Sequence, residues 1–233
     1  MGHPLLPALQ KGLDDLALSL SDDQQTKLLD YMDLIAKWTK VYNLTAVRDA
    51  QEMLTHHLLD SLAVIAPLRR ELAQLTLPVA QQLPVQEVAK QVEAPARFSL
   101  LDVGAGAGLP GIVIAITCPE VAVTCVDTVA KKAAFIQQVA ATLKLPNLKG
   151  LHARVETLTH PYDVVCSRAF ASLLDFTTWS KAALAPHGVW MAMKGKHPDQ
   201  ELAVLPQEVK VFHVEQLQVP GLDAERCIIW MRG

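Results

Sequence analysis

The stretch LLDVGAGAGLPGIVIA, residues 100–115, constrains the fold more than any other part of the chain. An apolar run ending in an acid meets glycines at alternate positions, Gly104, Gly106 and Gly108, and apolar residues resume after Pro110. A strand that enters a helix through a glycine-rich turn points backbone N–H groups and the helix dipole out of the strand's carboxyl end, which makes a site for a nucleotide-like ligand. Pro110 suits the first helical turn, where no N–H is needed. Taken alone, Gly106–Gly111 also satisfies G-x-G-x-x-G, the dinucleotide fingerprint of an NAD-dependent oxidoreductase. The strand context puts the turn earlier, at Gly104, with Asp102 among the last strand residues. A carboxylate there repels a pyrophosphate and suits a ligand with a cationic amino-acid end, such as S-adenosylmethionine. Asp127, in CVDT about twenty residues further on, closes the next strand, where an acid binds ribose hydroxyls.

The segments around this loop predict an α/β fold. FSLLDV, VAVTCVD, LKGLHA, YDVVCSRA, VWMAMKG, EVKVFHV and RCIIWMR read as strands, with LPGIVIAITC, AKKAAFIQQVAATLKL and SLLDFTTWSKAAL as helices between them. Continuous Val, Ile and Leu runs separated by helices are what a parallel sheet covered on both faces requires. EVKVFHV and RCIIWMR lack a crossover helix between them and predict an antiparallel hairpin at one edge. Upstream, Ser21 caps an amphipathic helix carrying Leu28, Leu29, Met32, Ile35, Ala36 and Trp38 at helical spacing, and DAQEMLTHHLLDSLAVIAPL predicts a second. The chain thus divides into a helical region, 1–70, a connector, 71–97, punctuated by Pro78, Pro84 and Pro95, and an α/β domain, 98–233.

Composition narrows the function. The 233 residues are 51% hydrophobic and 19% charged with a net charge of −3, so any nucleic acid is held by local basic patches rather than by bulk charge. Cys118, Cys125, Cys166 and Cys227 lie far apart with no C-x-x-C pair, which predicts reduced, buried thiols and no zinc ribbon. His56 and Asp60 share a helix face but have no third ligand at fitting spacing, so no metal site is expected. The absence of a signal layout or a long apolar span predicts a cytoplasmic protein with no membrane contact, and no unassigned apolar stripe speaks against a monomer.

Several motifs follow one another along the chain: KWTKVYNLTA, HLLDSLAV, the loop from Gly104 to Gly111, RVE at 154–156, SRAFASL at 167–173 and MKG at 193–195. From about Leu28 onward the chain resembles the bacterial 16S rRNA guanine-N7 methyltransferase G family, also called glucose-inhibited division protein B. The resemblance implies a Rossmann-like, seven-stranded S-adenosylmethionine-dependent methyltransferase fold with an N-terminal helical extension. It implies methylation of N7 of the guanine at position 527 of 16S rRNA, in the 30S subunit or an assembly intermediate. Carried over by position, Gly104, Leu109, Val155, Glu156 and Arg168 contact the cofactor, joined by Asp102, Gly106 and Asp127 from the loop reading. The chain departs from the family in a longer connector and in DT rather than DS after Asp127's strand. His57 and Asp60 match the family and are read as holding the helices against the sheet domain.

Methylating guanine N7 removes no proton, so no general base is needed, and positioning should dominate. Arg168 is the candidate for positioning the base. Lys131, Lys132, Arg154, Lys194 and Lys196 are candidate rRNA contacts, with Trp38, Lys40, Tyr42 and Asn43 as aromatic and basic groups of the kind that stack on or track RNA. A methyltransferase of another RNA or small molecule, and a non-catalytic rRNA-binding assembly factor, are the competing readings.

Overall fold

The computed structural model describes residues 2–42, 44–75 and 96–233. Asn43 and the prolines Pro78, Pro84 and Pro95 of the connector lie outside them. Among the described residues a seven-stranded sheet has the order β3-β2-β1-β4-β5-β7-β6. Its strands are β1 (Phe98–Val103), β2 (Val121–Asp127), β3 (Leu148–His152), β4 (Tyr162–Arg168), β5 (Leu184–Lys194), β6 (Lys210–Leu217) and β7 (Arg226–Arg232). Strands β1 to β5 pair in parallel, while β7 runs antiparallel to both β5 and β6. The edge hairpin expected from the sequence is therefore present, and β7, not β6, carries it into the sheet. The order reverses between β1 and β4, so the carboxyl ends of these parallel strands open one shared crevice beside the glycine turn.

The N-terminal helices are α1 (Leu6–Asp15), α2 (Asp22–Tyr42), α3 (Ala50–Met53), a π-helical stretch Leu54–Leu59, α4 (Asp60–Leu62) and α5 (Ile65–Leu75). Residues 71–75, read as connector, complete α5. Helix α2 starts as a reciprocal capping box: Ser21 Oγ accepts from Gln24 N at 3.2 Å while Gln24 Oε1 accepts from Ser21 N at 3.0 Å. Asp22 and Asp23 in its first turn and Lys40 in its last complement the helix dipole. It buries Leu28, Leu29, Tyr31, Met32 and Ile35.

The sheet is covered by α6 (Gly111–Thr117), α7 (Ala130–Thr142), α8 (Leu173–Ser180) and the short α9 (Asp199–Ala203). Every residue of α6 is buried, because the N-terminal helices pack over it. One continuous apolar core joins Leu9, Leu28, Leu58 and Leu68 to Leu100, Ile112, Phe135 and Met191. A second core, around Leu101, Val165, Phe176 and Trp190, fills the opposite face of the sheet. The helical region thus supplies part of the sheet domain's own core. It also caps α6: Gln24 Nε2 donates to the Ile116 and Thr117 carbonyls at 3.0 and 3.3 Å, and Arg69 Nη2 donates to Thr117 at 2.8 Å. These bonds satisfy carbonyls that a helix end leaves without partners.

Candidate active site

The glycine turn is fastened from three sides. Gly104 and Ala105 donate their N–H groups to Val126 O of β2 at 2.9 and 3.2 Å. Asp127 Oδ2 accepts from Gly106 N at 3.0 Å, and its Oδ1 accepts from Val129 N at 2.8 Å. From the N-terminal side, the buried Tyr31 hydroxyl donates to Ala107 O at 2.7 Å. Gly104 and Gly106 have φ of +67° and +61°, where a side chain is strained. Pro110 takes the cap position before α6, one residue earlier than the first helical turn expected of it.

Asp102 sits beneath the turn, fully buried, rather than on its open side. Its Oδ2 accepts from Gly111 N at 2.9 Å, which ties the strand end to the start of α6. Only glycine fits at 111, since a Cβ there would lie 2.8 Å from this oxygen and collide with the Cys125 sulfur. Among the described residues, Asp102 Oδ1 has no hydrogen-bond partner. Burial raises this carboxyl from 3.8 to about 7, against the opposing pull of the Gly111 N–H and the positive charge of Arg168. Burial also pushes the neighbouring Cys125 and Cys166 thiols well up, so neither supplies a thiolate. All four cysteines are free and buried.

The other sequence-predicted residues fall around the same sheet edge. Leu109 and Val155 are buried apolar groups. Glu156 lies on a single 3-10 turn after β3, where a backbone hydrogen bond, and then its ion pair with Arg154 at 2.9 Å, hold its carboxyl below the usual range. Arg168 ends β4, and Nη1 of its guanidinium donates to Asp60 Oδ2 at 2.9 Å and to His56 O at 3.1 Å. Asp60 therefore does hold the helices to the sheet domain, as read from the sequence. His57 contributes differently, with Nε2 2.6 Å from Thr45 Oγ1 inside the helical region.

The basic candidates separate on inspection. Lys131 lies over the Tyr42 ring at 5.3 Å, and Lys132 is 3.7 Å from Asp127. Lys196 is exposed. Lys194, by contrast, is spent internally: its Nζ donates to both oxygens of Glu201, at 3.0 and 2.8 Å, and to Ala171 O at 3.2 Å. This pairing brings α9 against the loop after β4, a role that no local pattern around MKG announces. Trp38 packs on Phe135 and Tyr42, at 5.3 and 5.1 Å between ring centroids, so its ring serves the core side of α2.

A family model described as rRNA small subunit methyltransferase G matches residues 24–77 and 80–229. The chain belongs to that family. Among methyltransferase G relatives, the protein of that name from Polaromonas sp. strain JS666 is 68% identical over 96% of this chain and 92% of its own length. Its counterpart from Acidovorax sp. strain JS42 is 64% identical over 97% of this chain and 94% of its own. That from Verminephrobacter eiseniae is 56% identical over 100% of this chain and 96% of its own. Membership of methyltransferase G removes the oxidoreductase reading of Gly106–Gly111. Sequence reasoning within that frame missed Tyr31, Phe170 and Arg226. Phe170 lies against Gly104, where a Cβ would meet its Cδ2 at 2.9 Å, and Arg226 Nε donates to Asp60 Oδ1 at 2.8 Å. The only local hint of either was the aromatic directly after SRA and the Arg opening the last strand. Among the described residues no helix is long and apolar enough to cross a membrane, and no cluster of His, Cys, Asp and Glu could hold a metal ion.

Proposed function

We propose that this chain methylates N7 of the guanine at position 527 of 16S rRNA, acting in the cytoplasm as a monomer on the 30S subunit or an assembly intermediate, with S-adenosylmethionine as donor. The observation that carries the reading is the glycine turn, fastened by Asp127, Tyr31 and the Val126 carbonyl of β2 at the carboxyl ends of the parallel strands, in a chain of the methyltransferase G family. The residues present suit the donor's chemistry. Gly104 is exposed and has no side chain to bar a ligand from its backbone. Leu109 and Val155 are apolar and lie buried behind the turn and after β3, while Glu156 offers an ionised acceptor and Arg168 a guanidinium for a carboxylate. Asp127 and Gly106 border the same turn, and Asp102 acts through the loop, since it is fully buried.

When bound, the donor supplies a methyl group already activated on a sulfonium. The guanine N7 lone pair needs no base to free it, so the chain's task is to hold the acceptor in line and keep water out. No buried thiol competes as nucleophile, because Cys125 and Cys166 stay protonated.

Incubating the protein with labelled S-adenosylmethionine and 30S subunits lacking the modification, then mapping N7-methylguanine by chemical cleavage, tests the reading. One modified guanine, at position 527, is the expected result. Labelling at a different nucleotide, or none despite cofactor binding measured by calorimetry, would move the substrate elsewhere.

The rRNA surface is assigned to Lys131, Lys132, Arg154 and Lys196, which follow the carboxyl ends of β2, β3 and β5, together with Tyr42, over whose exposed ring Lys131 lies. Lys194 is left out because its side chain is only 17% exposed and its Nζ is held by Glu201 and Ala171, whereas Arg154, though paired with Glu156, is 72% exposed. Lys131→Glu should raise the KM for subunits about tenfold and flatten its salt dependence, with cofactor affinity unchanged. Steady-state kinetics at two ionic strengths check this, and an unmoved KM removes Lys131 from the surface.

A further inference from the structure

Asp60 is 2% exposed, and every residue of the short helix it opens, α4, is buried with it. Burying a carboxylate costs several kcal/mol unless partners compensate. Here each oxygen has its own arginine: Oδ2 takes Arg168 Nη1 at 2.9 Å, and Oδ1 takes Arg226 Nε at 2.8 Å. The two arginines come from the end of β4 and the start of β7. Two positive charges thus face one negative charge, which leaves the group cationic at the sheet's ligand edge.

The geometry restrains Arg168 at both ends. Its backbone is fixed in β4 opposite Met193 of β5, and the next residue, Ala169, leaves the strand with φ +54°. Its tip is held by a single nitrogen, Nη1, which spends its donors on Asp60 and on the His56 carbonyl of the π-helical stretch. Nε and Nη2 make no hydrogen bond to any described residue, and the side chain is 21% exposed. A planar guanidinium clamped on one nitrogen has little freedom to turn, so its remaining donors point in one direction. Arg226, by occupying the other carboxylate oxygen, stops Asp60 from rotating away. The π-helical turn matters because such insertions re-aim backbone groups and recur at functional sites.

We infer that Asp60 is a positioning residue for methyl transfer, setting the guanidinium of Arg168 so that the N-terminal helical region governs the cofactor end of the site. The inference rests on the assignment of Arg168 to that end. Arg226 is the buttress of Asp60 and has no part in binding.

The test compares cofactor Kd by calorimetry, single-turnover methylation of 30S subunits, KM for subunits, and melting temperature. The variants are Asp60→Asn, Arg168→Ala, the double variant and Arg226→Ala. Asp60→Asn should weaken cofactor binding or slow the single turnover by about 30-fold, the size expected of a lost orienting partner, with the KM for subunits within about twofold. The double variant should be no worse than Arg168→Ala, because Asp60 acts through that arginine. Arg226→Ala should cost less than about fivefold, since Oδ2 keeps Arg168. Additive losses in the double variant, or equal damage from Arg226→Ala and Asp60→Asn together with a higher KM for subunits, would overturn the inference in favour of helix docking alone. If Arg168→Ala leaves cofactor affinity and rate intact, it is the underlying assignment of Arg168 that fails. Should Asp60→Asn not fold, Arg168→Lys keeps the charge but loses the fixed plane; it should show the same split, and full cofactor affinity there would also overturn the inference.

Discussion

Gly104→Asp should cost at least about 100-fold in cofactor affinity, or roughly 3 kcal/mol, while the protein stays folded. Gly104 has φ +67°, which costs a residue with a Cβ on the order of 1–3 kcal/mol. The new Cβ would also meet Phe170 Cδ2 at 2.9 Å. Phe170 has little room to yield, because its ring is set edge-on against Phe176 and Trp179, with centroids 6.0 and 5.7 Å away. The carboxylate then brings negative charge to a turn that already borders Asp102 and Asp127. Gly104 itself is exposed, so the strain falls on the turn and on the rim of the second core at Phe170 and not on the buried strands. Calorimetry with S-adenosylmethionine beside a melting curve separates binding from folding, and unchanged affinity would remove Gly104 from the site.

Stability of the native chain should carry a pH dependence that Asp102→Asn abolishes. Burial holds the Asp102 carboxyl at about 7, whereas its unfolded value is near 3.8. Between those values the native state binds the proton and the unfolded state releases it, so this group makes the protein less stable as pH rises toward 7, with no further change above. Asparagine keeps an acceptor for Gly111 N and has nothing to titrate. Relative to the unsubstituted chain, the variant should gain on the order of 3 kcal/mol of stability between pH 5 and pH 8, two pKa units of that window being active. Urea unfolding at the two pH values measures it. Parallel pH dependences would mean that Asp102 is ionised throughout in the native protein.

Much of this architecture was legible because its signals are local. The β-branched runs, the acid and glycines of residues 102–108 and the missing crossover before RCIIWMR each specify their own element, and the parallel strands and edge hairpin follow. The fate of individual side chains was less legible. Asp102 reads as a carboxylate lining the loop, but the helix that follows folds back on it and Gly111 N claims its Oδ2. Lys194 reads as a rim cation, yet Glu201, seven residues away across a turn, takes its charge. Arg168 was singled out by its place at a strand end, whereas its partner lies 108 residues earlier in the chain. Nothing in either neighbourhood encodes that distance; only the packing of the helical region over α6 brings the two together.

The ion pairs between the N-terminal helices and the last strands also set an order of events during synthesis. Asp60 is held by Arg226, 166 residues later, Glu71 by Arg232, 161 residues later, and Arg70 by Glu215, 145 residues later. The early helices can form while the chain is being made, but their anchors are synthesised 145 to 166 residues later. A nascent chain arrested before β7 would carry the glycine turn and β1 to β5 without the buttress of Asp60. The buttressed arrangement of Arg168 is therefore acquired only once β7 has been made and closes over residues synthesised long before.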